Sequence, residues 1–346
     1  MKLIIDCMGG DHAPDEMLAG VIAAHRGRAA DCEFLLVGNE NALKAVAAER
    51  GYDLSPFEIR HTESVITMDD DAMAWRGDKK DASMTVALRA LADGEGDAVV
   101  SCSNTGALFS GATMIARRAK GVHRAAIGTV LPFDPPVLLL DSGANVIVQP
   151  DFLVQFAVMG TAYMKALYGL DKPRVGLLNN GTEEHKGTEL QQQAYALLAD
   201  CPNIHFIGNV EAGSIPLGAC DVVVTDGFTG NITLKAFEGM GKMFSKKLKG
   251  LFKSGLGGAL AYLLLKNKIK ELRKSFDASE IGGSPILGLR KPVIKAHGSS
   301  KEKAFMNAIY QAKTLASSGA LEQMQADMAT LEAAKKTAAG GEENAH

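Results

Sequence analysis

The feature that most constrains this chain is an alternation: apolar runs of strand length recur along it, separated by segments with helical periodicity. The runs lie at residues 2–6, 33–37, 57–61, 97–101, 126–131, 137–141, 174–179, 204–208 and 221–225. Helix-like segments occupy 15–25, 41–50, 83–92, 106–120, 150–168 and 187–200. Strands buried on both faces read as near-continuous apolar runs, and their alternation with amphipathic helices marks a parallel sheet covered on both sides. The expected class is therefore α/β, with a mostly parallel sheet. At 346 residues and 47% hydrophobic content, the chain can bury a large core in one such domain or two smaller ones.

In such a sheet, ligands bind beyond the carboxyl ends of the strands. Five of those ends, or the turns after them, carry polar loops with glycine. The first is IIDCMGGDHAP, where Asp6 closes a strand, Gly9 and Gly10 turn the chain, and Asp11, His12 and Pro14 lead into a helix. The exposed amides and dipole of a helix start favour an anion, and two glycines let a ligand approach the backbone. The second loop is SCSNTGA, with Asn104, Thr105 and Gly106 opening a helix. DSGAN follows, from Asp141 to Asn145, then NNGTEEHKG with Asn180, Gly181 and Lys186, and DGFTGN with Asp226, Thr229 and Asn231. A core needs none of these polar atoms, so the loops are expected to converge on one rim and line a site there.

Each loop also has a plainer explanation. Asn104, Thr105, Thr229 and Asn231 are ordinary cap and turn residues, and Asp141 and Asp226 are suited to holding neighbouring amides. Lys186 stands out, because a cation just before a helix start is where a carboxylate would cap better. His12, His185 and His297 are acid-base candidates with no partner identified, and solvation or packing accounts better for His185. Arg76, Lys79 and Lys80 form a basic cluster before a helix.

Net charge is only −3, which gives no field drawing the chain to nucleic acid. The five cysteines, Cys7, Cys32, Cys102, Cys201 and Cys220, lack zinc-ligand spacing and fit a reducing cytoplasm. The acidic run at 68–71 reads as a solvated loop, and no metal or cofactor is expected. Asp6 interrupts the first apolar run and no stretch reaches about 18 apolar residues, so neither a secretory leader nor a spanning helix is expected and a cytoplasmic protein is the expectation.

Residues 242–274 differ from the rest, with ten lysines and arginines against one acid, Glu271. Leucines recur there at near-helical spacing around Gly255, Gly257 and Gly258. This predicts a helical hairpin at about 232–276 with a greasy tip flanked by cations. Lys246, Lys249, Lys253, Leu256, Leu260 and Leu264 are its candidate contacts to anionic lipid or an acidic partner. A dimer interface is the alternative. Glycine turns follow at 281–289 and 295–300, where His297 and Ser299 precede a helix at 301–316. The tail from Ala334 reads as frayed or disordered, leaving one domain at 1–333.

In this order, DCMGGDHAP, SNTGA, DSGAN, NNGTEEHKG, DGFTGN and AHGSS resemble the bacterial phosphate acyltransferase family of phospholipid synthesis, the acyl-ACP:phosphate acyltransferases. The resemblance spans Asp6 to Ser300, with a departure at Cys102-Ser103, where small residues such as Ala-Gly are common. It implies a three-layer α/β/α fold related to isocitrate dehydrogenases and phosphate acetyltransferases, a homodimer, and peripheral association with the inner face of the membrane. It also implies transfer of a long fatty acyl group from acyl carrier protein to inorganic phosphate.

On that chemistry, Lys186 and Asn104 are expected to bind phosphate or the oxyanion, with Thr105 and the amides of Gly9, Gly10 and Gly106. Asp226 and Asn231 are expected to orient the reacting groups. Asp6, Asp11, Asp141, Asn145, Asn180, Gly181, Thr229, His297 and Ser299 complete the expected binding set. Phosphate is nucleophilic near neutral pH, so no acyl-cysteine on Cys7 or Cys102 is required. A short-chain acyl-CoA:phosphate acyltransferase, an oxidoreductase of the isocitrate dehydrogenase kind and a non-catalytic carrier-binding scaffold are the alternatives. The oxidoreductase reading would need a nicotinamide site, and this chain has no GxGxxG turn after its first strand.

Overall fold

The computed structural model describes residues 1–253, 255–275 and 278–343. Its strands are β1 (Lys2–Asp6), β2 (Glu33–Gly38), β3 (Glu58–His61), β4 (Ala98–Ser101), β5 (Ala126–Leu131) and β6 (Val137–Leu140). They continue with β7 (Arg174–Asn179), β8 (His205–Glu211), β9 (Val222–Val224), β10 (Gly283–Leu287) and β11 (Val293–Ala296). The helices are α1 (Asp15–Arg26), α2 (Glu40–Arg50), α3 (Ser83–Ala92), α4 (Thr105–Gly111) and α5 (Pro150–Tyr168). After them come α6 (Glu189–Ala199), α7 (Gly227–Phe252), α8 (Gly255–Ser275), α9 (Glu302–Ser317) and α10 (Ala320–Glu343).

The strands form one sheet in the order β3-β2-β1-β4-β11-β10-β5-β6-β9-β7-β8. Neighbouring residues along a strand go to opposite sides, as the two-residue period requires. Leu3 and Ile5 pack into one apolar cluster with α1, α5 and α9, whereas Ile4 packs on the other side with α3 and α4. In β6, Leu138 and Leu140 join the first cluster, while Val137 and Leu139 face Val210, Val223 and Phe237. The result is a three-layer α/β/α arrangement. Burying each such Leu, Ile or Val is worth about 1.5–3 kcal/mol.

Two strands fall where the sequence reads as glycine turns, and they change the geometry of the sheet. β10 runs antiparallel to β11 and to β5, and β5 runs antiparallel to β6. All other pairings are parallel. Three reversals separate the two halves, so β1, β4 and β11 point one way and β6, β9 and β7 point the other. β10 has the sequence GSPIL, whose Gly-Ser-Pro start hides a strand. Its glycine is set by packing, since a Cβ on Gly283 would lie 2.5 Å from Ile294 Cγ2.

The helix expected at 106–120 is shorter and irregular. Seven residues of α4 pass into a π-helical turn at Ala112–Arg117, which ends with Arg117 at φ +68°. The basic hairpin consists of α7 and α8, packed along each other. α10 continues through Glu343, beyond the point from which a frayed tail is expected, while residues 344–346 lie outside the described residues.

Candidate active site

The reversal in the sheet divides the expected site. The loops after β1, β4 and β11 gather at one edge, and those after β6, β7 and β9 gather at the opposite edge. Convergence of all five on a single rim is therefore not what the fold produces. Sequence alone cannot give strand direction across a stretch read as turns.

At the first edge, Asp6 is fully buried and acts as a knot. Its carboxylate accepts hydrogen bonds from Ser101 Oγ at 2.6 Å, Ser103 Oγ at 2.8 Å and Met8 N at 3.2 Å. Gly9 and Gly10 are required by this junction. A Cβ on Gly9 would come within 2.6 Å of Ser103 N, and one on Gly10 within 2.8 Å of both Cys102 Cβ and Gly298 O. Gly10 also has φ +96°, which an L side chain rarely adopts. Asp11 N donates to Gly298 O at 2.8 Å, tying the β11 loop to the other two. These glycines admit neighbouring backbone, where the sequence reading has them admitting a ligand.

Asn104 has the cap role that its position allows. Its Oδ1 accepts from Ala107 N at 3.0 Å, and its Nδ2 donates to Met68 O at 2.8 Å and Asp70 O at 3.2 Å. It thereby anchors the acidic loop, in which Asp70 is paired with Lys79 at 2.7 Å. Lys79 also donates to Val65 O, so the basic cluster before α3 is partly structural. Thr105 and Gly106 are exposed on the first turn of α4. His297 Nδ1 lies 2.9 Å from Ser299 Oγ.

One cation here escaped the sequence reading. Lys295 lies on β11, and its Nζ donates to Ala296 O at 2.6 Å, with Cys102 and Asp11 as electrostatic neighbours. Burial lowers its pKa from the ordinary lysine value. A strand reading of 293–296 would have flagged a lysine near the strand's carboxyl end. Burial pushes the Cys102 thiol up to about 12 and raises Cys7 further still, which keeps both thiols protonated and poorly nucleophilic.

The second edge is built on Asp141, which is also fully buried. Its carboxylate accepts from the amides of Gly143 and Ala144 at 3.0 Å each and of Asn145 at 2.7 Å. It accepts as well from Asn145 Nδ2 at 2.7 Å and Ile127 N at 3.3 Å. Asn145 then donates to Ala125 O, and its own carbonyl receives Gly227 N at 2.7 Å. Asp226 caps α7 by accepting from Thr229 N at 2.8 Å and Thr229 Oγ1 at 2.7 Å. Gly230 packs on the same junction, where a Cβ would lie 1.9 Å from Asp141 O.

Once these bonds are made, three expected donors at this edge, the side chains of Asn231, Lys186 and Asn180, remain without a hydrogen-bond partner among the described residues. The Asn231 side chain lies over Gly143, with atoms 3.6–3.9 Å from a Cβ there. Lys186 is part-exposed, and its Nζ has only a 3.9 Å approach to Glu183 Oε1. Its side chain covers Gly181, while Asn179 Nδ2 donates to the Lys186 carbonyl and Asn180 stays exposed. Because β6, β9 and β7 are adjacent, the Asp141, Asp226 and Lys186 loops follow one another along this edge. Val146, Ile147, Phe228 and Ile232, which flank them in sequence, are exposed apolar residues, Ile147 at 90%. Polar donors beside apolar surface are what an acyl transfer to an anion requires.

On the hairpin, Lys246, Lys249 and Lys253 are exposed, as are Leu260 and Leu264. The side chain of Leu256 lies outside the described residues. No helix among the described residues is long and apolar enough to cross a membrane.

Comparison with known proteins bears on nearly the whole chain. A family model described as fatty acid synthesis protein matches residues 1–323. The phosphate acyltransferase of Acetivibrio thermocellus is 42% identical over 333 residues, covering 96% of this chain and 98% of the relative. That of Bacillus subtilis is 40% identical over 332 residues, covering 95% and 98%. Among solved structures, a phosphotransacetylase from Streptococcus pyogenes superposes with TM-score 0.59 at 16% identity, covering 93% of this chain and 94% of the other. The 4-hydroxythreonine-4-phosphate dehydrogenase of Klebsiella pneumoniae gives TM-score 0.51 at 14% identity, covering 91% and 98%. At such identities the structural likeness shows the fold alone.

Proposed function

The chain belongs to the fatty acid synthesis protein family as a phosphate acyltransferase, and on that premise we propose that it moves a long-chain acyl group from acyl carrier protein to inorganic phosphate. The products are acyl phosphate, for glycerophospholipid synthesis, and the free carrier thiol. The observation that carries this reading is the near-full-length identity of about two residues in five with named phosphate acyltransferases.

The reaction is assigned to the second edge. A phosphate oxygen attacks the thioester carbonyl carbon, the carbonyl oxygen takes negative charge, and the carbon–sulfur bond then breaks to release the carrier thiolate. Phosphate is a competent nucleophile near neutral pH, and a thiol of pKa about 8.5 leaves without a strong acid. Positioning and electrostatics therefore carry the rate, with little need for proton transfer. Lys186 supplies the charge facing phosphate, and Asn231 Nδ2 donates to the oxyanion. Asp141, Asp226 and Asn145 hold the loops in place through the bonds described above, so they act as positioning residues. Val146, Ile147, Phe228 and Ile232 offer apolar cover to the acyl chain.

The hairpin is assigned to peripheral contact with the inner face of the membrane, through Leu260, Leu264 and the flanking lysines. The working form is a homodimer, which sedimentation would show at about twice the chain mass. A Leu260→Asp, Leu264→Asp variant should float poorly with anionic vesicles, and unchanged flotation would remove the hairpin as anchor.

The decisive assay for function is phosphate-dependent release of carrier thiol from long-chain acyl carrier protein, run beside acetyl-CoA. Release from the acylated carrier alone supports the reading. Turnover of acetyl-CoA alone would favour the short-chain activity, and no turnover of either donor by folded protein would contradict both.

A further inference from the structure

A cavity of about 510 Å³ shares no lining residue with either loop cluster described above and is walled by the ends of α3 and the π turn and by the residues just before β11. Arg89, Arg117, Arg290 and Lys291 line it, with Asp93 as the acid among its lining residues and Met114 and Ile115 supplying apolar wall. Four cations in one concavity are notable in a chain whose net charge is −3.

The cavity is constructed around two of these arginines. Arg290 N donates to Arg117 O at 3.1 Å, and Arg290 Nε donates to Arg118 O at 3.2 Å. The Nε edge of the Arg290 guanidinium is thus fixed, which orients the rest of it. Arg117 is the non-glycine residue with positive φ among the described residues, and it ends the π-helical turn. Both features cost stability, and both recur where function holds them in place. The Arg117 side chain has no ion-pair or hydrogen-bond partner among the described residues. Arg89 has only a 3.8 Å approach to Asp81, while Lys291 is engaged with Gly96 O.

The strand register places this cavity on the second edge. Val293 pairs with Val99 at the start of β11, Ile286 pairs with Ile127, and Gly128 pairs with Leu140. The entry to β11 and the exit from β6 therefore share one side of the sheet. From Arg117 the chain leads to Ala125, whose carbonyl holds Asn145 of the Asp141 loop at 2.8 Å.

We propose that the Arg89, Arg117 and Arg290 cavity is the docking surface for the acidic carrier that brings the acyl group. This rests on the function proposed above and gives it a place of entry distinct from the basic hairpin. Exposed guanidiniums around an apolar floor suit a partner helix whose carboxylates flank an apolar residue, with Met114, 52% exposed, as the contact between them. A carrier seated there extends its thioester arm along the same edge toward Asn231. A slightly acidic enzyme would otherwise repel an acidic partner, so a local basic concavity provides steering as well as register.

The test is fluorescence anisotropy of labelled long-chain acyl carrier protein against the full-length enzyme, in parallel with thiol release. Arg117→Gly and Arg290→Glu should each weaken carrier binding about ten-fold, with the KM for phosphate unchanged. Arg117→Gly has a second signature, because glycine accepts the backbone conformation: its thermal midpoint should equal or exceed that of the parent. Arg89→Glu, on an exposed helix end, gives a third reading that does not depend on the π turn. A Lys249→Glu, Lys253→Glu hairpin variant should bind the carrier as the parent does. Parent-like binding by all three cavity variants, or loss confined to the hairpin variant, would overturn the docking surface. A parent enzyme that does not bind the carrier would overturn it too. A parent that binds but releases no thiol would instead defeat the proposed reaction and leave the docking surface standing.

Discussion

The two edges of the sheet are built by the same device and finish with different chemistry. Each has a fully buried aspartate at a strand end, Asp6 on one side and Asp141 on the other, gathering donors from neighbouring loops. Each packs glycines where a Cβ would strike backbone, at Gly9 and Gly10 or at Gly227 and Gly230. At the first edge, Asn104 is committed to a cap and two carbonyls, His297 and Ser299 lie within reach of each other, and the exposed Thr105 hydroxyl is the motif donor left without a partner among the described residues. At the second, the side chains of Asn231, Lys186 and Asn180 remain uncommitted, and Asn231 stands in sequence between the exposed Phe228 and Ile232. Motif residues thus divide into those that hold a loop and those left free by it.

The largest effect that probes this division is steric. Gly230→Ala forces a methyl against Asp141 O and should destabilise the protein by about 3 kcal/mol, read from a denaturant melt. A melt like the parent's would mean that the second junction is looser than described.

A smaller effect separates holding from chemistry at one loop. Asp226→Ala removes the α7 cap and should lower stability by about 1 kcal/mol, with a fall in turnover that is largely recovered by Asp226→Asn, which still caps. Failure of the asparagine variant to recover turnover would give Asp226 a charge-dependent role in the reaction.

The smallest effect lies at the opposite ends of the second-edge strands, where Asp221 accepts from Arg174 N, Nε and Nη2 at 2.7–3.1 Å. Burial alone would raise the carboxyl, but the contacts with Arg174 outweigh it and hold Asp221 below its ordinary value. A depressed folded-state pKa stabilises above the unfolded value of about 3.9 and is lost as pH falls through the folded one. Asp221→Asn should therefore flatten the acid limb of the stability profile below about pH 4. An unchanged limb would show that the pair contributes nothing there.

Much of the fold was legible because buried parallel strands leave continuous apolar runs. Val137–Leu140 and Arg174–Asn179 are examples, found within a residue of their expected bounds. Gly283–Leu287 was not, because glycine and proline there satisfy close cross-strand packing and imitate a turn. Missing that strand and its partner hid both the reversal of direction and Lys295. At the site, sequence located the loops but could not distinguish the uses of one residue type. Gly10 and Gly230 make room for backbone, and Asn104 caps while Asn231 does not, differences set by partners distant in sequence.

The central claim is that acyl transfer occurs at the second edge, and paired turnover measurements test it most directly. Asn231→Ala and Lys186→Met should each lower phosphate-dependent thiol release by roughly a hundred-fold, with thermal midpoints unchanged. Ser299→Ala and Thr105→Ala, at the first edge, should stay within about three-fold of the parent. Near-parent rates for both second-edge variants, with the large loss falling on folded Ser299→Ala or Thr105→Ala, would contradict the account and move the reaction across the sheet.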